Sequence, residues 1–254
     1  MPKSHEKAGF ARAEAEFFGL SCRCLQRPDE TLAALLKEGG VSIRLRELLS
    51  CETGDRAFDP VGAIEAFEAE CAEMPVDGIR LRLEVDYNRL FVGPGALLAP
   101  PYESYYASEA RQAGGGRLRT EDERAVAAAY RKSGFAVPEP LVELPDHIAI
   151  ELEFLARLAG AEADFWERGS EEEALESQSA QALGHMGKSL RRACRGGVSH
   201  RVLSRHRQPR SCILFVTLSR RMNDVLTQGR FAAASGCAEG ASAGETCCAG
   251  RRLR

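Results

Sequence analysis

An aspartate, a histidine and a glutamate in the second half of the chain have the types and spacing that chemistry needs. In the stretch ELPDHIAIELEF, Asp146 and His147 are adjacent, and Glu151 follows four residues after the histidine. Residues four apart share one face of a helix, so His147 and Glu151 can form a general base with its carboxylate partner, or two ligands of a metal ion. Helix capping and a solvated helix face explain the same pattern, because neither a third ligand nor a nucleophile accompanies it.

A second candidate is the aromatic segment YNRLFVGPGALLAPPYESYY, which runs from Tyr87 to Tyr106. Its central glycines and prolines end the preceding helix near Phe91, and Pro100 with Pro101 favours an extended or turn backbone. We therefore expect a stiff segment without regular helix or strand. Its tyrosines can present rings and hydroxyls to a binding groove at small entropic cost, or they can cap the core from a long helix connection.

The composition is that of an ordinary globular chain. Of its 254 residues 44% are hydrophobic and 28% charged, and no apolar run is long enough to span a bilayer. The N-terminus lacks the apolar core of an export signal, so we expect a cytoplasmic protein whose nine cysteines are thiols. No C-x-x-C pair, phosphate-binding glycine loop, hydrolase elbow or zinc-protease motif occurs.

Hydrophobic periodicity and capping residues predict an all-α fold as far as residue 184, because no alternating strand pattern occurs before SCILFVTLS in the tail. The stretch ASEARQAGGGRLRT is predicted to be a loop, since three consecutive glycines favour no ordered backbone. The strongest amphipathic helix has Pro145 in its predicted first turn and an apolar stripe formed by Ile148, Leu152, Leu155 and Ala159. The other predicted helices are Ala8–Leu25, RPDETLAALLKEGG, DPVGAIEAFEAECAEM, GIRLRLEVDYNRLF, EDERAVAAAYRKSGF capped by Thr120, and SEEEALESQSAQAL. The stretch VSIRLRELLS is predicted to be helical or mixed.

The charge is distributed unevenly about residue 185. From His185 onward the chain has 14 basic and 3 acidic residues, a formal charge of +11, whereas the preceding part has 20 basic and 34 acidic residues, or −14. We therefore predict a helical domain over residues 1–184 and a basic, low-complexity, poorly ordered tail over residues 185–254.

The two candidate segments together resemble the TorD/DmsD/NarJ family of cytoplasmic chaperones that assist the maturation of molybdenum-containing oxidoreductases. YNRLFVGPGALLAPPYESYY is similar to the family's aromatic-x-x-L-F-x-G-P followed by P-P-aromatic-x-S, and ELPDHIAIELEFLARL is similar to its E-x-x-D-H helix start. The resemblance extends to about Leu183 and implies a single-domain helical bundle of the TorD-like type.

The resemblance further implies a non-catalytic chaperone that binds the twin-arginine signal peptide, or a related N-terminal segment, of a partner oxidoreductase until its cofactor is inserted. It implies no resident cofactor or metal and no membrane insertion, although weak binding of a guanine nucleotide or a molybdenum cofactor intermediate has been suggested for relatives. The sequence does not name the client, and the resemblance leaves trimethylamine oxide, dimethyl sulfoxide, nitrate and formate enzymes open. The positions associated with recognition are Tyr87, Leu90, Phe91, Pro101, Tyr102, Ser104, Asp146 and His147.

The sequence departs from the family after Gly184, where closing helices are expected and an arginine-rich stretch occurs instead. A reading-frame shift in a GC-rich gene explains this composition, and a native basic tail is the other interpretation. A shifted end leaves core helices uncovered, which favours domain-swapped association. The expected state is therefore either a monomer or a domain-swapped dimer. Two other functions stay open: a metal-dependent hydrolase that uses Asp146, His147 and Glu151, and a nucleic-acid-binding module that uses the tail.

Overall fold

The computed structural model describes residues 4–49, 60–93, 99–111, 115–136 and 143–183 of the chain. Within these ranges every regular element is helical, which confirms the all-α fold class. The tail and the predicted domain boundary at residue 184 lie outside the described residues. The helices are α1 (Ser4–Leu25), α2 (Glu30–Lys37), α3 (Gly40–Leu49), α4 (Pro60–Ala72), α5 (Val76–Tyr87), a π-helical turn (Asn88–Val92), α6 (Glu103–Arg111), α7 (Glu121–Lys132), α8 (Ile148–Arg168) and α9 (Glu171–Leu183).

Several helices begin and end at residues with the local chemistry of helix caps, among them the predicted cap Thr120. Asp29 caps α2 by accepting a hydrogen bond from the N–H of Leu32, and Thr120 caps α7 by accepting one from the N–H of Asp122. Gly169 ends α8 in the left-handed conformation with φ of 74°, which a residue without a β-carbon adopts without strain. Local chemistry therefore fixes these boundaries.

One helix was not predicted from the sequence. The expectation of irregular backbone through Tyr106, followed by a loop, is wrong, because α6 covers residues 103–111. Pro101 lies just before the helix and Glu103 lies in its first turn, where an acid interacts well with the helix dipole. The proline pair therefore precedes a helix start instead of marking a long irregular segment.

The helix that precedes the aromatic segment ends in an unusual way. After Tyr87 the backbone widens into the π-helical turn, a feature often found at functional sites. Gly93 then ends this turn with φ of 91°, which confirms that the helix stops at the predicted glycine. Leu90 and Phe91, which belong to this turn, both lie in the core.

The core sits between α8 and the helices around it. α1 packs along α8, α8 packs against α9, and α2 packs against α5. All four residues of the predicted α8 stripe are buried, and Phe17 of α1, at 0% exposure, lies in the same core as Leu152 and Leu155. The cysteines of the described core, Cys22, Cys24 and Cys71, are buried free thiols, as expected for them.

Some helix starts depend on carboxylates from other helices. Glu68 of α4 is 4% exposed and accepts hydrogen bonds from the N–H groups of Val41 and Ser42, with Glu68 Oε1 lying 2.9 Å from Val41 N. These N–H groups belong to the first turn of α3, which has no intrahelical partner for them. A buried acid on one helix therefore stabilises the start of another.

No helix within the described ranges is both long enough and apolar enough to cross a membrane.

Replacing Leu152 by alanine is expected to lower the free energy of unfolding by about 2–5 kcal/mol, because the side chain is fully buried and its removal leaves a cavity. Leu81→Ala is the matched control: Leu81 is 58% exposed, and its removal is expected to change the same quantity by at most about 0.5 kcal/mol. Urea denaturation followed by circular dichroism measures both. Equal losses in the two variants would contradict the position of the core.

Candidate functional site

The two segments singled out in the sequence meet in the structure. Tyr102 and His147 form an isolated antiparallel bridge, and their rings pack edge to face with centroids 5.3 Å apart. The N–H of Ile148 donates to the carbonyl of Pro101 over 2.8 Å, and the N–H of Glu103 donates to the carbonyl of Asp146 over 3.1 Å. We call this pairing of residues 101–104 with residues 146–148 the clasp. It brings together residues that lie more than 40 positions apart.

Asp146 closes the clasp by capping α6. Its Oδ2 accepts a hydrogen bond of 2.8 Å from the N–H of Ser104, in the first turn of that helix. The prediction that Pro145 lies in the first turn of the amphipathic helix is wrong, because α8 begins at Ile148, and Asp146 therefore lies outside that helix too. The carboxylate serves the neighbouring helix instead. It is completely buried.

His147 is the N-cap of α8. Its Nδ1 accepts a hydrogen bond of 3.2 Å from the N–H of Ala149, so the proton of the neutral ring must lie on Nε2. That nitrogen lies 3.5 Å from the hydroxyl of Tyr87. Burial lowers the pKa of His147 to about 4, and the nearby Glu143 carboxylate opposes this shift only in part. The imidazole is therefore a neutral cap near neutral pH.

The end of α5 supplies the apolar side of the site. The rings of Tyr87 and Phe91 pack edge to face with centroids 4.9 Å apart, and the carbonyl of Leu90 accepts a hydrogen bond of 3.0 Å from the N–H of Ala99. The side chains of Tyr87, Leu90 and Phe91 are all buried. Burial raises the pKa of Tyr87 to about 12, so its hydroxyl stays a neutral partner for His147.

Glu143 belongs to the site although the sequence reasoning did not select it. Its Oε2 accepts a hydrogen bond of 2.7 Å from the hydroxyl of Tyr102, and both side chains are only partly buried. Burial and the Glu143 carboxylate raise the pKa of Tyr102, which therefore remains a hydrogen-bond donor. Glu143 is the first residue of the E-x-x-D-H pattern, and this position in the motif is the feature of the sequence that could have identified it as a site residue.

Three buried carboxyl groups lie in the clasp or close to it in the chain. Glu103, Asp146 and Glu151 are 6%, 0% and 1% exposed. Burial raises the pKa of Glu151 well above its usual value, and the charges of Glu103 and Asp146 raise it further. Within the described part of the chain, Asp146 Oδ1 and Glu151 Oε2 have no hydrogen-bond partner. The raised pKa favours the neutral acid at Glu151, because a buried carboxylate without a cationic partner costs free energy.

The structure joins all eight predicted recognition residues into one connected cluster, but seven of them are buried. Only Tyr102 among them is partly exposed. As for metal ligands, the described residues contain no group of three or more histidine, cysteine or acidic side chains placed to hold an ion, so His147 and Glu151 lack a third ligand there.

Comparison with known proteins gives one family match. Residues 62–194, more than half of the chain, match the family described as nitrate reductase delta subunit. A solved structure from Archaeoglobus fulgidus, a candidate redox enzyme maturation protein, is 21% identical with a TM-score of 0.36, and the alignment covers 68% of this chain and 92% of that one. A comparison with curated proteins finds no match.

The fold and the site define an all-helical, TorD-like protein in which an aromatic segment is clasped to an Asp-His helix start. The chain belongs to the nitrate reductase delta subunit family, the NarJ/TorD-type family that the two sequence motifs indicate. This is a family of redox enzyme maturation chaperones.

Asp146→Ala is expected to lower the free energy of unfolding by about 1–3 kcal/mol, because it leaves the N–H of Ser104 buried without an acceptor. Asp146→Asn is the matched control, since its amide oxygen can still accept that hydrogen bond and its loss should be the smaller one. Chemical denaturation of both variants measures the difference. Equal stability of the alanine variant and the original chain would show that the cap is not needed.

His147 is expected to remain neutral at pH 5.5 in the folded chain, with its proton on Nε2. In the unfolded chain the ring takes up a second proton near pH 6.5. The contribution of His147 to the free energy of unfolding therefore falls as the pH drops from about 6.5 towards about 4. Nitrogen NMR of the imidazole, in folded and in urea-unfolded protein, measures both titrations. A folded-state midpoint near 6.5 would contradict the buried cap.

Proposed function

We propose that this protein is a chaperone that binds the twin-arginine signal peptide, or a related N-terminal segment, of a molybdenum-containing oxidoreductase. It holds the catalytic subunit of that client until the cofactor is inserted, before export or assembly. Because the client must be held before it is exported, we place this activity in the cytoplasm.

The observation that carries the proposal is the clasp itself. Both motifs of the resemblance lie within the matched residues 62–194, and the Tyr102–His147 bridge joins them. A binding site for a peptide needs a rigid frame, since ordering of the receptor would otherwise reduce the affinity. The capped starts of α6 and α8 supply such a frame.

Charge supports a basic ligand. The chain up to residue 184 has a formal charge of −14, and a twin-arginine peptide presents two adjacent cations. A field of opposite sign raises the rate at which such a peptide associates and favours the orientation in which its basic end meets the acidic surface.

Exposed apolar side chains support an apolar ligand segment. Leu81 and Val85 lie four residues apart on one face of α5 and are 58% and 59% exposed, and Val92, in the π-helical turn, is 60% exposed. Large apolar side chains that are exposed on one face of a helix are typical of interaction surfaces. The apolar run that follows the arginine pair of a signal peptide is the chemistry that would cover them.

A synthetic peptide with an arginine pair followed by an apolar run tests the proposal by calorimetry. The double variant Tyr102→Ala/Asp146→Ala is expected to weaken binding by about tenfold or more, because it removes one side of the ring contact and the cap that positions α6. The variant Trp166→Phe, a change in a buried residue near the end of α8 that lies opposite the clasp, is the control for reduced stability. Affinity unchanged in the double variant would remove the proposal.

A further inference from the structure

We propose that Glu143, and not Asp146, is the carboxylate that contacts the basic pair of the client segment, and that Tyr102 positions it to select arginine over lysine. This inference rests on the proposed function and specifies which group of the site carries its charge recognition.

Asp146 is committed elsewhere. Its side chain is 0% exposed, its Oδ2 holds the N–H of Ser104, and its carbonyl holds the N–H of Glu103. Its other oxygen, Oδ1, is also shielded from solvent. A guanidinium group cannot reach this carboxylate without opening the clasp and leaving the first N–H groups of α6 uncapped. Asp146 is therefore a positioning residue.

Glu143 offers what Asp146 lacks. It lies at the edge of the same clasp, its side chain is partly exposed, and the hydroxyl of Tyr102 occupies one acceptor position of Oε2. A carboxylate has about four such positions, so Oε1 and the rest of Oε2 remain for a ligand. Within the described residues no lysine or arginine forms an ion pair with Glu143. A bidentate guanidinium fits a carboxylate of this kind.

Tyr102 adds the preference for arginine. Its ring is partly exposed and stands at 77° to the buried ring of His147, which fixes its orientation. Planar guanidinium groups stack on tyrosine faces while their N–H groups reach a neighbouring carboxylate, and an ammonium group does this less well. The hydroxyl that holds Glu143 thus places an aromatic face and a carboxylate side by side.

The groups around Glu143 leave it as the acid most open to a ligand. Tyr87 faces the clasp from α5, and Tyr102 and Glu103 face it from the start of α6. Tyr130 of α7 reaches it by donating a hydrogen bond to the carbonyl of Pro145. His147 and Glu151 face it from the start of α8. Of the acids in this set, Glu103, Asp146 and Glu151 are buried.

The test uses the full chain and three peptides that differ only in the basic pair: Arg-Arg, Lys-Lys and Gln-Gln. The Glu143→Gln variant keeps an acceptor for the hydroxyl of Tyr102 and removes the charge. We expect it to bind the Arg-Arg peptide roughly three- to fivefold more weakly, with a smaller salt dependence and with Gln-Gln binding unchanged. The matched control Glu172→Gln removes one exposed acid from the first turn of α9, away from the clasp, and should bind all three peptides within about twofold of the original chain. The Asp146→Asn variant tests the other acid of the motif.

The variant Tyr102→Phe keeps the ring and removes the donor to Glu143. It should reduce the preference for Arg-Arg over Lys-Lys while leaving Gln-Gln binding unchanged.

The results distinguish a failure of the proposed function from a failure of the role given to Glu143. If the original chain binds none of the peptides, the proposed function fails and this inference fails with it. If it binds Arg-Arg but Glu143→Gln binds equally well, only the inference is overturned. It is also overturned if Asp146→Asn loses the charge-dependent part of binding while its circular dichroism spectrum and melting temperature remain those of the folded chain.

Discussion

The site depends on how two helices share their beginnings. The starts of α6 and α8 lie side by side, and each lead-in segment supplies acceptors for the other helix: Asp146 for the N–H groups at the start of α6, and Pro101 for the N–H of Ile148. A buried helix start without such acceptors would leave several N–H groups unpaired. The same solution recurs where Glu68 of α4 caps α3.

Burial at the clasp also fixes protonation states. His147 is neutral because its Nδ1 must accept the N–H of Ala149 and because the ring is shielded from water. The pKa of Glu151 is raised well above its usual value by burial and, to a smaller extent, by the nearby Glu103 and Asp146, which favours the protonated acid. These two groups therefore form a neutral, rigid interior, which agrees with a frame for recognition better than with the acid-base pair that their spacing alone allows.

The buried interior of the site and its partly exposed edge are suited to different tasks in such a protein. A maturation chaperone must bind a client segment reversibly, so its contacts should be few and placed on a preorganised surface. Buried residues of the two motifs provide the preorganisation. In the function that we propose, the charge and the apolar surface for a client come from partly or fully exposed neighbours, among them Glu143, Tyr102 and the apolar residues of α5.

The sequence by itself determined the helical class, the buried stripe of α8, the caps at Asp29 and Thr120, and the two motifs that indicate the family. These depend on neighbours within one or two turns. Only the tertiary structure decided that residues 103–111 form a helix and that Asp146 caps it, since that acceptor lies 42 residues away in the chain. Exposure too was decided there: Asp146 and Glu143 are both acids in one short motif, and packing across the clasp buried one and left the other partly open to solvent.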